Sequence, residues 1–242
     1  MDLTEATWTD VAKTKTDLAV LPVGSTEQHG PHAPLGTDRL TARAVAEAGT
    51  AAYEDARDRA VVLAPTIPVG IAEEHRGFSG TLWVTPDTFR QYVRETVDSL
   101  ASHGFERVVL VNGHGGNVGA LREVAETISR HDAAYAVPFT WFDAIDATDM
   151  GHGGPVETAM LRATQPDLVR DDRIAEAQEG ASERWGEWIS GVNLAFDSAT
   201  FTDNGVVGDP SEGTEERGTE LLEHATAALA DLLEAIENRE ID

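Results

Sequence analysis

The chain has no cysteine, so disulfides and thiolate metal sites are both excluded. Lysine is almost as scarce: Lys13 and Lys15 are the only two, and the other sixteen of the 18 basic residues are arginines. Set against 43 acidic residues they leave a formal charge of −25. Phosphate and anionic membrane need clustered cations, so this balance argues against nucleic acid and lipid surfaces as partners. The acids are spread along the whole chain rather than gathered in a tail. That is the pattern of a halophile-like surface, with hydrated carboxylates whose repulsion salt screens. No apolar run approaches the ~20 residues that span a bilayer. The opening MDLTEATWTD has neither a basic nor an apolar leader region, which gives the cytoplasm as the expected location.

What is present reads as alternating strands and helices. Asp17 to Gly24 is a short apolar strand ending in glycine, and 38–56 has helical spacing with Thr37 or Asp38 placed to cap it. A second strand over 60–70 is interrupted by prolines. A helix follows from Thr85, with Pro86 in its first turn and Gly104 at its end. Arg107 to Gly113 is a third strand, Val118 to Asp132 a helix, Ala134 to Asp143 a fourth strand. Helices over 155–163 and 215–239 complete the pattern. Such alternation predicts an α/β fold: one three-layer domain over residues 1–242, with a mostly parallel sheet between helices. No repeat or linker divides it.

Ligands in open α/β sheets bind beyond the carboxyl ends of the strands. Three polar clusters fall there: GSTEQHGPHAPLGTD (24–38), NGHGGN (112–117) and GHGGPVE (151–157). Together they deliver Glu27, His29, Asp38, His114, His152 and Glu157 toward one rim. Carboxylate and imidazole donors without thiolate suit Zn²⁺, Mn²⁺ or Fe²⁺ in a hydrolytic site. Glu27 and His29, two apart on an extended segment, point the same way. Asp38 could bridge two ions. Such a pair activates water near neutral pH, which suits hydrolysis of a C–N bond in a small-molecule substrate. Taken singly, His114 could equally be a hydrogen-bonding residue, Asp38 a helix cap, and Glu157 an acid favoured by a helix dipole. The glycines of 113–116 could instead cradle a phosphate, making this a non-catalytic nucleotide-binding protein. Phe78, Trp83, Trp141, Trp185 and Trp188 could line a pocket for a flat substrate or serve as core and interface anchors. Glu74 and His75 could contact substrate or fix their loop, and His32 is a loop residue supporting the site.

LPVGSTEQHGPHAPLGTD resembles the signature of the creatininase family of amidohydrolases. EHRGFSGTLW (74–83), LVNGHGGN, GHGGPVET and GVVGDP (205–210) are similar to its other segments, in the same order, from Leu21 to Pro210. The resemblance implies a single α/β domain with a di-metal centre, often in hexamers built from dimers. It also implies hydrolysis of small cyclic amides or formamides. By position, Glu27, His29, Asp38 and His114 resemble the family's metal ligands, with Asp38 as the bridge. Creatinine-hydrolysing members carry a glutamate two residues after the equivalent of His114, where this chain has Gly116. Glu157 is the substitute ligand expected here, and His152 the residue that protonates the leaving nitrogen or steadies the oxyanion. The departure at Gly116 draws in other branches. These are formamide hydrolases, including deformylases of a formamidopyrimidine nucleotide in flavin and deazaflavin biosynthesis, and a peptide-maturation branch.

Overall fold

A computed structural model describes residues 1–145 and 147–240. In chain order the elements are α1 (Trp8–Val11), β1 (Leu18–Val23), α2 (Thr37–Arg57), β2 (Val62–Leu63), α3 (Pro86–Ser102), β3 (Arg107–Asn112) and α4 (Val118–His131). They continue with β4 (Tyr135–Thr140), α5 (Pro155–Thr164), α6 (Ile174–Glu179), β5 (Trp188–Ile189), β6 (Val192–Asn193) and α7 (Glu215–Glu237). The molecule is α/β, with a parallel four-stranded sheet in the order β2-β1-β3-β4 and helices on both faces.

Alternation along the strands sends side chains to two separate cores. Leu18, Val20, Val109 and Val111 pack with residues of α2, α5 and α7. Ala19, Leu21, Val108 and Leu110 pack with residues of α3 and α4. With both faces covered, β1 is buried along its whole length, which is why it reads as an unbroken apolar run. Strand β2 is shorter than the 60–70 segment suggested. Pairing gives out after Leu63, and only an isolated bridge joins Val23 to Ile67. Pro65 and Pro68 flank that break, as expected of residues that cannot donate to a ladder. Caps follow expectation at α3, where Thr85 accepts from the Thr88 N–H and Pro86 opens the helix. At α2 the expected cap is absent. Gly36 takes the cap position, and the Thr37 hydroxyl donates instead to Pro34 O at 2.7 Å. Asp38 is thereby released from capping and lies buried in the first turn. No helix among the described residues is long and apolar enough to cross a membrane.

Strands β1 and β3 are neighbours whose connections leave in opposite directions along the sheet, so a crevice opens at their carboxyl ends. The loops after both strands meet there, together with the start of α5.

Candidate metal centre

Glu27 and His29 lie on the loop after β1, Asp38 in the first turn of α2, His114 just beyond β3, and His152 and Glu157 at the entry to α5. All six are buried. The local sequence explains how they converge. Gly113 lets the end of β3 press against α2, where a Cβ would lie 2.2 Å from Asp38 O. The Asn112 side chain clamps the next turn, accepting from His114 N at 3.1 Å and donating to His114 O at 2.8 Å. Asn117 ties three loops together, donating to Gly24 O at 3.1 Å and accepting from Ile71 N at 3.0 Å.

Three of the histidines share one construction. The outer nitrogen of each donates to a backbone carbonyl, which can only accept, so the inner nitrogen is the one that faces the cluster and can give its lone pair to a cation. His29 Nδ1 is 3.1 Å from Glu27 O, His114 Nε2 is 2.7 Å from Ile71 O, and His152 Nε2 is 2.6 Å from Gln28 O. Inward, His29 Nε2 lies 3.0 Å from Asp38 Oδ1 and 3.7 Å from Glu157 Oε1. His114 Nδ1 lies 3.1 Å from Glu27 Oε1 and 3.3 Å from Asp38 Oδ2. A lone pair facing a carboxylate oxygen is repulsive unless positive charge lies between them. Without metal that charge is a proton on the inner nitrogen of His29 and of His114, which a bound cation would replace. Burial alone would push His29 and His114 down, but their carboxylate neighbours (Asp38 and Glu157, and Glu27 and Asp38) hold both well above the ordinary imidazole range. Burial would likewise raise Asp38, yet His29 and His114 keep it below the usual carboxylate range.

Both Glu27 oxygens and Asp38 Oδ2 are sealed from solvent and take no hydrogen bond among the described residues. Buried carboxylate oxygens without partners are costly unless a cation satisfies them. The donor atoms of Glu27, Asp38 and His114 lie within 4.8 Å of one another, as do those of His29, Asp38 and Glu157. Asp38 belongs to both triads, one oxygen toward each histidine. A third triad, Glu27, His29 and His152, overlaps them. This donor set fits divalent metal. The chemistry is the wrong sign for a phosphate cradle at 113–116, because Glu74 and Glu157 line the same cavity.

Gly116 also has a structural reason. A Cβ there would stand 2.3 Å from Ile71 O, so no side chain fits, and Glu157 reaches the cluster from the opposite side. Its Oε2 is held by Gly153 N at 2.6 Å, leaving Oε1 toward His29. Above the cluster opens a cavity of about 370 Å³ walled by Phe142, Met150 and Trp185. Of the aromatic candidates only Trp185 lines it. Trp141 is in the core, and Trp83 and Trp188 are exposed. His32 is buried behind the site, bonded to the Thr158 hydroxyl at 2.9 Å. Met150, Phe142 and the carbonyls that fix the tautomers carried no sequence signal, since loop packing and main-chain atoms leave no mark on residue type.

The family model described as creatinine amidohydrolase matches residues 4–233. The chain belongs to the creatininase family. Members are metal-dependent hydrolases acting on carbon–nitrogen bonds, and this chain is such an enzyme. It is 35% identical over 217 residues to a mycofactocin precursor peptide peptidase of Mycolicibacterium smegmatis, covering 88% of this chain and 83% of that one. With the creatinine amidohydrolase of Pseudomonas putida it shares 25% over 240 residues, 88% and 87% of the two chains. The fold matches a putative creatinine amidohydrolase from Bacteroides fragilis with a TM-score of 0.84 at 23% identity, over 100% and 98% of the chains. Creatininase in zinc–zinc and manganese forms matches at 0.80, also at 23% identity, over 97% and 98%.

Proposed function

We propose that this creatininase-family chain hydrolyses an amide bond at a two-metal centre, with Glu27, Asp38 and His114 holding one ion and His29, Asp38 and Glu157 the other. The observation that carries this reading is Asp38, whose two oxygens face the inner nitrogens of two different histidines at 3.0 and 3.3 Å. Two divalent ions bound there (Zn, Mn or Fe) would supply Lewis acidity, polarising the scissile carbonyl and lowering the pKa of the attacking water. The remaining work belongs to the chain. Burial pushes His152 below the ordinary imidazole range, so it is neutral with Nδ1 free. From that position it takes a proton from water and passes it to the leaving nitrogen. Gly115 and Gly116 leave the cavity floor clear for the substrate, and Trp185, Phe142 and Met150 give it an apolar wall.

The size of the cavity suits a small cyclic amide or formamide, including a formamidopyrimidine nucleotide. A second reading is a peptide bond in a precursor peptide. It is favoured by the greater identity to peptide peptidases than to creatinine amidohydrolase, and by the missing ligand at Gly116. Hydrolysis of creatinine, a formamidopyrimidine nucleotide and a panel of short peptides by the Zn- or Mn-loaded enzyme in high salt separates these. Asp38→Asn abolishes whichever activity is found, by more than about 100-fold, since even supporting residues of metal sites cost that much. Retention of activity in Asp38→Asn, with the two ions in place, would refute the mechanism.

The same reading takes the chain as one domain working in the cytoplasm as a homo-oligomer, a hexamer on the family pattern. Trp188, Ile189, Val192, Leu194 and Phe196 support the oligomer, being about half or more exposed on and after the β5–β6 hairpin. Light scattering of the purified protein measures it directly.

A further inference from the structure

His75 is buried at the cluster without belonging to either triad of the proposed centre, and Gln28, between Glu27 and His29, is buried as well. The Gln28 amide is oriented without ambiguity. Its Oε1 accepts from Gly30 N at 3.0 Å, and its Nε2 donates to Gly205 O at 3.0 Å. The second Nε2 hydrogen is therefore directed at His75 Nδ1, 2.8 Å away, and that nitrogen must offer its lone pair. The Ser198 hydroxyl also lies 3.0 Å from that nitrogen, but its one proton is shared with Glu74 O at 3.0 Å, so Gln28 is the group that decides. The proton of neutral His75 then sits on Nε2, which faces Glu27 Oε1 at 3.4 Å, an electrostatic contact longer than a full hydrogen bond. His75 thus differs from the other three histidines: their inner nitrogens can give up a proton to a cation, whereas its inner nitrogen is the one that keeps the proton. Gly205 belongs to the arrangement too: with φ at +86° and a Cβ position 1.8 Å from Gln28 Oε1, only glycine lets Gln28 take this place.

We propose that Gln28 and His75 are a positioning pair for the Glu27 carboxylate, Gln28 fixing the His75 tautomer so that its Nε2–H holds Glu27 in the orientation for coordinating metal. The pair rests on the reading of Glu27 as a metal ligand, and it accounts for the GVVGDP segment, whose glycine leaves room for the amide. One residue thereby sets two neighbours, since the Gln28 carbonyl also fixes the tautomer of His152.

The first test uses the wild-type chain. Nitrogen-15 spectra of its histidines, metal-free and loaded with ¹¹³Cd²⁺, are expected to show His75 protonated at Nε2 in both states and uncoupled to cadmium, while His29 and His114 couple. A proton on His75 Nδ1, or a cadmium coupling to His75, would overturn the proposal. The second test is chelator competition for Zn²⁺. His75→Phe and Gln28→Leu are expected to weaken one of the two sites 10- to 100-fold and spare the other, with His75→Gln, which keeps a donor, recovering part of the loss. Wild-type affinity at both sites in His75→Phe and Gln28→Leu would overturn the pair alone. Absence of Zn²⁺ binding in the wild type would instead bring down the metal-centre reading, and the pair with it.

Discussion

A buried histidine that must stay neutral makes stability depend on pH, and His32 is the clearest case outside the cluster. Burial, aided by the neighbouring charges of His29 and Arg162, brings it from 6.5 down to about 4. Between those values the unfolded chain binds a proton that the folded chain does not, so stability rises with pH and is lost as pH falls from about 6.5 to about 4. The full shift corresponds to at most about 3 kcal/mol. In urea unfolding at pH 7 and pH 4, with chelator in all samples, the wild type is expected to lose more stability on acidification than His32→Gln. Parallel losses in the two proteins would show that His32 is not the group responsible. At this scale the metal-ligand candidates were legible because Glu27, His29 and Asp38 share one short segment. Partner identities were not: Ile71 O beside His114, and Gln28 behind His75, act through a backbone carbonyl and an amide orientation, which leave no mark on residue type.

Elements bring the ligands into register through close approaches, and glycines mark them. At Gly113 an added Cβ would meet Asp38 O at 2.2 Å, and the atoms it strikes are backbone, which cannot swing aside. Gly113→Ala must therefore push the first turn of α2 away from β3, separating Asp38 from His114. The expected cost is about 1–3 kcal/mol of stability together with weaker Zn²⁺ binding. Gly119, inside α4, is the matched control, because nothing lies within 4 Å of its Cβ position. Gly119→Ala is expected to stabilise by about 0.5–1 kcal/mol through helix propensity and to leave metal binding unchanged. Thermal melts and zinc titrations of the two variants check both, and equal behaviour would mean that Gly113 does not set the α2–β3 spacing. Long apolar strands and amphipathic helices announce themselves by period, so β1, β3, β4 and α2 to α5 were readable. Helix α6 and the β5–β6 hairpin were not, being six residues and two residues per strand, too short for a period to emerge.

Over the whole molecule, a charge of −25 makes self-repulsion a standing cost to the folded state. Screening shortens the reach of that repulsion from about 10 Å at 0.1 M salt to about 3 Å at 1 M. Melting temperature is accordingly expected to rise steadily from 0.1 M to 2 M KCl. A flat or falling curve would mean that self-repulsion is not a significant cost to the folded state. Composition alone spoke to this scale, because net charge needs no structure to count. The packing of two apolar cores against one sheet needed the strand order, which no single strand encodes.

All three scales meet at Asp38, a carboxylate released from capping, held by a glycine contact and aimed at two histidines. The most direct measurement is anomalous diffraction at the zinc edge from crystals of the zinc-loaded protein. Two ions are expected, both ligated by Asp38, one also by Glu27 and His114 and the other by His29 and Glu157. A single ion, or two that do not share Asp38, would contradict the account.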